Sequence, residues 1–328
     1  MISFLSRRIV YMIVTLLLVS VVSFIIVQAA PGDYAEIYAA KKAATGAIIS
    51  QAEIEKTRVQ LGLDQPWYIQ YSRWISNVVL RFDFGDSWEW KRPVGEVIGE
   101  RMPLTLAIAF TTLFFMYVVA VPIGIYSAVH RYSFGDHAFS LIGYLGLAIP
   151  NFLLALVLMY LSQKLFGQSV GGLFSPKFDN LPWSWDKMLD LLAHLVVPVV
   201  VLGTAGTAFL IRAMRAAVLD ELDKMYVLAA KASGLSPLQL LIRYPVRMAL
   251  NPIAATLGWR LTYVISGAPI VGYVLALPDT GPLFLAALLN QDMQLAGALI
   301  FIYCALTIIG TFVSDLLLVL LDPRIRLE

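Results

Sequence analysis

Six apolar runs, each long enough to cross about 30 Å of hydrocarbon, constrain this chain more than any other feature. They lie at 9–29, 103–129, 138–165, 188–211, 253–275 and 294–321 of the 328 residues. Backbone buried in lipid must satisfy its own N–H and C=O groups, so runs of this length become helices. Composition agrees: 59% of residues are apolar and 14% charged, against about 25% charged in soluble domains. An all-α membrane protein with six transmembrane helices is expected. The first run follows Arg7 and Arg8 and is longer than the ~7–15-residue core of a cleaved leader. A retained N-terminal helix (1–30) is therefore expected.

Lysine and arginine near the span ends set the orientation. Arg7, Arg8, Arg131, Arg212, Arg215, Lys224, Lys231, Arg243, Arg247, Arg324 and Arg326 fall on one side. The opposite 166–187 loop carries only Lys177 and Lys187, and the 276–293 loop carries neither residue type. Both termini and the 212–251 insert are expected in the cytoplasm, and the long 31–102 segment outside. That segment carries helix signals. Ser50-Gln-Ala-Glu53 fits a capping box, and Pro66 suits a helix start. Trp67, Tyr71, Trp74, Ile75 and Val78 then recur on one helical face. Such a stripe packs a helix or seats it at headgroup level; a lid at the mouth of a pathway is the functional alternative. The remainder, 103–328, reads as a five-helix core interrupted by Pro122, Pro150, Pro198 and Pro269, which membrane helices accommodate as bends.

Several chemistries are excluded. No phosphate-binding G-x-x-x-x-G-K-[ST] loop occurs, nor H-E-x-x-H. His130, His137 and His194 lack metal-ligand spacing, and Cys304 lies alone in an apolar run. No catalytic residue, metal site or cofactor is expected in this chain. A net charge of +2 gives no reason to expect a nucleic-acid partner.

Two charges inside spans stand out, because each costs about 2.5–3.5 kcal/mol at a helix centre. Arg260 lies early in the fifth span and Asp315 late in the sixth, at similar depth on the cytoplasmic side. They are candidates for an intramembrane pair or for lining a water-filled path. The alternative is that Arg260 snorkels to the interface while Asp315 accepts a local hydrogen bond.

The 212–251 insert is a polar, helix-forming interruption between two spans. Leu228, Ala229, Ala230 and Ala232 favour helix, and Gly234 permits a left-handed stop. Ser236-Pro237 then reads as an N-cap followed by proline in the first turn. A helix, sharp turn and second helix on the cytoplasmic face make a rigid projection that another protein can grip.

The stretch Tyr226-Val-Leu-Ala-Ala-Lys-Ala-Ser-Gly234 resembles the EAA-type coupling motif of bacterial ATP-binding-cassette importer permeases. More narrowly, the chain resembles the oligopeptide/dipeptide permease family. Ala30-Pro-Gly-Asp33, Leu61-Gly-Leu-Asp-Gln-Pro66, Phe84-Gly-Asp86, Pro93-Val94, Glu100-Arg-Met-Pro103 and Leu321-Asp-Pro-Arg-Ile-Arg326 carry that resemblance along the whole length. It implies a five-helix importer core of type I plus an N-terminal helix and an external segment. A second, usually different, permease would complete the path, and an external substrate-binding protein would deliver cargo. Two cytosolic ATPases, binding ATP and magnesium, would contact Tyr226, Ala229, Ala230, Lys231, Gly234 and Leu235. The family implies peptide cargo. Two departures, Gly272-Tyr-Val-Leu-Ala-Leu-Pro-Asp-Thr-Gly281 and a charged Arg260, keep oligosaccharides as the alternative. An ion-driven secondary transporter would instead require paired broken helices in inverted halves, which the sequence does not display.

Overall fold

The computed structural model describes residues 2–29, 34–44, 50–60, 62–167, 171–178, 181–182 and 184–321. Residues 30–33, 61 and 322–328, which carry parts of three of the motifs above, lie outside them. Along the chain run α1 (Ile2–Gln28), α2 (Tyr34–Ala44), α3 (Gln51–Gln60) and α4 (Trp67–Arg81). A two-residue antiparallel ladder, β1 (Asp86–Ser87) with β2 (Arg92–Pro93), precedes α5 (Val94–Gly99) and α6 (Met102–Val129). Then come α7 (Phe134–Ala148), α8 (Asn151–Phe166), α9 (Trp185–Leu222), α10 (Met225–Ala232) and α11 (Pro237–Leu241). The chain continues with α12 (Arg247–Ala254), α13 (Leu257–Val274), α14 (Thr280–Leu289) and α15 (Met293–Leu321).

Four stretches are by themselves long and apolar enough to cross a membrane: Ser6–Ile25, Val94–Val129, Trp185–Leu222 and Met293–Leu321. Two of the six expected spans differ from the reading above. The third is a broken pair, α7 and α8, bent by 106°. Pro150 causes the break: it disfavours helical geometry in the residue before it, and Ile149 sits extended at φ −84°, ψ 122°. Pro122, Pro198 and Pro269 are instead held inside α6, α9 and α13. The fifth span exists as α13, but Arg260, Pro269 and its glycines dilute its apolar character.

The chain forms two compact units. One comprises Ile9–Thr105 and Asp279–Ala305. Its core joins Val94, Val97 and Ile98 to Leu283, Ala287, Leu295 and Leu299. The 31–102 segment thus does not stand alone, because the apolar face of α5 is buried by α14 and the start of α15. Asp292, fully buried, accepts hydrogen bonds from Ser87 Oγ, from the Glu89 N–H at 3.2 Å and from the Leu295 N–H at 3.2 Å. The aromatic stripe of α4 is mostly packing. Tyr71 shares a 2.7 Å hydrogen bond with Ser20, and Trp74 stacks near Phe24 and edge-on to Phe301. Trp67 alone of its three rings is left half exposed, at 50%.

The other unit comprises Met1–Arg8, Leu106–Pro278 and Leu306–Glu328. Helix α9 is its axis, packed by α7, α8, α12 and α13. Leu195, Val199, Leu202, Gly206, Leu210, Met214 and Val218 form one buried line, and Pro198, Val201, Gly203, Thr207, Ala208 and Ile211 are buried beside it, as a helix packed on several sides requires. Small residues bring backbones together, as is usual between membrane helices. A side-chain carbon on Gly258 would fall 2.5 Å from the Thr311 backbone, so α13 and α15 touch there. Thr262 Oγ1 donates to Thr307 Oγ1 at 2.7 Å, and Ser314 donates to the Ala254 carbonyl at 2.5 Å.

Candidate docking surface and buried charges

The 212–251 insert begins differently from the expectation. Residues 212–222 are the unbroken end of α9 rather than a new helix. A short link then turns the chain into α10, whose seating is fixed by Glu221. The Glu221 carboxylate accepts a hydrogen bond from Tyr226 Oη and pairs with Lys224 Nζ at 2.5 Å. Burial pulls the Glu221 carboxyl up, but the bonds from Lys224 and Tyr226 outweigh it and leave it below the usual carboxylate range. Burial and the same bond push the Tyr226 phenol up to about 12, so it remains a proton donor. The Tyr226 and Tyr244 rings lie 6.3 Å apart, linking α10 to the segment beyond the turn.

Helix α10 ends as read from sequence. Gly234 adopts φ +82°, a region that costs other residues strain. Ser236 Oγ then accepts from the Gln239 N–H at 3.4 Å, with Pro237 opening α11. A five-residue wide turn, Ile242–Val246, holds Pro245 and leads into α12.

Of the coupling residues named above, Tyr226, Ala229, Lys231 and Gly234 are exposed and Leu235 is half-buried. Ala230 is a correction: it is 8% exposed and packs inward with Val227, so it supports the surface without forming it. The outward surface is instead apolar and was only partly legible. Met225, Leu228, Leu238 and Ile242 are 79%, 50%, 66% and 58% exposed. Exposed apolar side chains grouped around a basic residue mark an interaction site.

Two ion pairs tie the ends of these helices down. Arg215, on the α9 extension, grips Asp136 with two parallel bonds, Nε to Oδ1 and Nη2 to Oδ2, each 2.8 Å. Asp136 also accepts the Tyr132 N–H at 3.0 Å, next to the Ser133 cap of α7. The Arg215 guanidinium holds the buried Asp136 carboxyl below its ordinary range. Arg8 Nη1 lies 2.9 Å from Asp315 Oδ2.

That last contact corrects the expected Arg260–Asp315 pair. Asp315 is taken by Arg8 of α1, and no ion pair joins it to Arg260 among the described residues. Arg260 is 3% exposed. Its guanidinium lies over Trp259 at 3.9 Å and over Phe209 at 4.3 Å, while Nε and Nη2 have no hydrogen-bond partner. A desolvated cation–π contact contributes about 2 kcal/mol, less than the several kcal/mol that removing the ion from water costs. Arg260 therefore neither snorkels nor forms an ion pair among the described residues. The described residues contain no cluster of three or more His, Cys, Asp or Glu able to hold a metal.

The family model described as binding-protein-dependent transport system inner membrane component matches residues 120–327, and its N-terminal companion matches 1–109. An oligopeptide transport system permease protein, AppB of Bacillus subtilis (strain 168), is 33% identical over 328 residues, spanning 99% of this chain and 100% of its own. A putative peptide permease protein of Brucella ovis is 32% identical over 314 residues, 95% of each chain. Among solved structures, a chain of the inward-facing MetNI methionine ABC transporter superposes with a TM-score of 0.53 at 18% identity. That match covers 69% of this chain and 96% of the other, a likeness of fold.

Proposed function

The chain belongs to the family of binding-protein-dependent transport system inner membrane components, and on that premise we propose that it is one permease of a peptide importer driven by separate ATPases. It is a multi-pass inner-membrane protein. In this reading it crosses six times, with α7–α8 as one broken crossing and α13 as the fifth, and both termini lie in the cytoplasm. The 31–102 segment is external. A second permease completes the path, and a binding protein presents cargo from outside. ATP and magnesium belong to two cytosolic ATPase subunits, and this chain carries out no hydrolysis itself.

The observation that supports it most is the outward apolar surface of α10 and α11, built on the end of an uninterrupted α9. A membrane protein gains nothing from exposing Met225 and Leu238 to cytosol unless a partner covers them. Tyr226, Lys231 and Gly234 sit at the same surface, where an ATPase groove would seat. The peptide names of the relatives support the cargo.

The test is reconstitution of the chain with its partner permease, the two ATPases and the binding protein in proteoliposomes. ATP-dependent accumulation of a labelled tripeptide is the expected result, with no ATP turnover by the purified chain alone. Uptake of an oligosaccharide but no peptide would move the cargo to sugars. Uptake driven by an ion gradient without the ATPases would overturn the importer reading.

A further inference from the structure

The unpartnered guanidinium inside α13 carries a more specific conclusion, one that rests on the peptide-importer reading. Arg260 keeps Nε and Nη2 buried and without hydrogen-bond partners. The same two atoms are the ones with which Arg215 grips Asp136 side-on, at 2.8 Å each. One edge of Arg260 thus presents the donor pair that this chain uses elsewhere to hold a carboxylate, and planar two-point recognition of that kind is the speciality of arginine. Asp315, the acid at similar depth, is committed to Arg8.

Gly206 of α9 lies against the buried Met116 side chain, with its ideal side-chain carbon also 3.7 Å from Arg260 Nη1. Its neighbour Ala205 lines a hollow of about 310 Å³ at the Pro150 bend, together with Tyr263, Asn151, Phe152 and Ile270. The rings that shield the cation, Phe209 and Trp259, are themselves 37% and 45% exposed. They form a cover one aromatic layer thick between the charge and the outside of the unit.

We propose that Arg260 receives the C-terminal carboxylate of the peptide in transit, when Phe209 and Trp259 part. Arg260 is then a specificity-determining residue of the path. Binding there is a temporary exchange of ring contacts for a two-point ion pair, after which the rings close again. A peptide lacking the negative terminus forfeits that exchange.

The experiment compares uptake of trialanine and trialanine amide by the complete reconstituted complex, with wild-type chain, Arg260→Gln and Arg260→Lys. The binding protein is common to every arm, so its own preference cancels when the acid-to-amide ratio of a variant is divided by that of wild type. Arg260→Gln is expected to cut uptake of the acid about tenfold and that of the amide less than twofold. Arg260→Lys, which keeps the charge and loses the planar fork, is expected to fall between. An equal loss for both peptides in a correctly assembled complex overturns the proposal. So does a complex that fails to assemble with Arg260→Gln while Arg260→Lys keeps the wild-type ratio; Arg260 then pairs with the second permease. If the wild type imports neither peptide, the peptide-cargo reading itself has failed, and this inference falls with it.

Discussion

Gly234 offers the sharpest test of whether the α10–α11 projection works through its backbone. Its φ of +82° costs an ordinary L-residue about 1–2 kcal/mol, while asparagine tolerates the region and β-branched residues fit it worst. A side-chain carbon at Gly234 would meet nothing within 4 Å, so any penalty is conformational and not a clash. An exposed helix as short as α10 opens locally at low free energy. If the closed turn is favoured about tenfold, a ~1.4 kcal/mol penalty brings it to parity and cuts its occupancy from about nine-tenths to about half. Substrate-stimulated ATP hydrolysis and uptake should therefore fall about twofold in Gly234→Ala, more in Gly234→Val, and little in Gly234→Asn. The melting temperature of the solubilised chain should barely move, because the loss is local. The measurement is coupled hydrolysis and uptake in proteoliposomes alongside thermal unfolding in detergent. Full activity of Gly234→Val, or equal damage from asparagine and valine, would refute the reasoning.

Removing Arg215 leaves Asp136 buried and unpaired. Arg215→Ala should cost about 2–3 kcal/mol, below the 3–5 of a fully buried pair because the Arg215 side chain is 26% exposed. Asp136→Asn keeps the Tyr132 bond and should cost less, and a double-mutant cycle on unfolding midpoints checks the coupling. Because the folded Asp136 carboxyl lies below its ordinary value, the pair contributes fully above about pH 4 and its contribution is lost on acidification below that. The stability gap between wild type and Asp136→Asn should therefore close in acid. At the α13–α15 crossing, Gly258→Val should force the backbones apart and prevent assembly with the proposed second permease, as size-exclusion chromatography of the co-expressed pair would reveal.

Much of this architecture was readable because it depends on local rules. Spans follow from unbroken apolar length, and the Gly234 stop and Ser236 cap follow from the backbone preferences of single residues. The broken α7–α8 crossing was not, since a proline inside a span can be absorbed as at Pro122 and Pro198, and only packing decides that Ile149 turns extended. Charge partners were equally hidden. Arg8 served as a topology marker, with nothing local to connect it to Asp315. Asp136 and Arg215 likewise meet only once α7 and α9 pack. The seating of Tyr226 on Glu221 had a weaker signal, the three-residue spacing of Glu221 and Lys224 at a helix end. Inward-facing Ala230 shows the limit of a motif: residues can belong to it for packing and not for contact.

The unbroken course of α9 has a mechanical consequence. Its 38 residues at 1.5 Å each make a rod of about 57 Å, with Tyr226 pinned near one tip and the aromatic cover of Arg260 beside its middle. Such a rod acts as a tiller: a swing of about 5° about one tip carries the other through about 5 Å and the middle through about 2.5 Å, given that length. Small strokes at the tip would thus suffice to disturb ring contacts well inside the bilayer, with no relay of side chains needed in between.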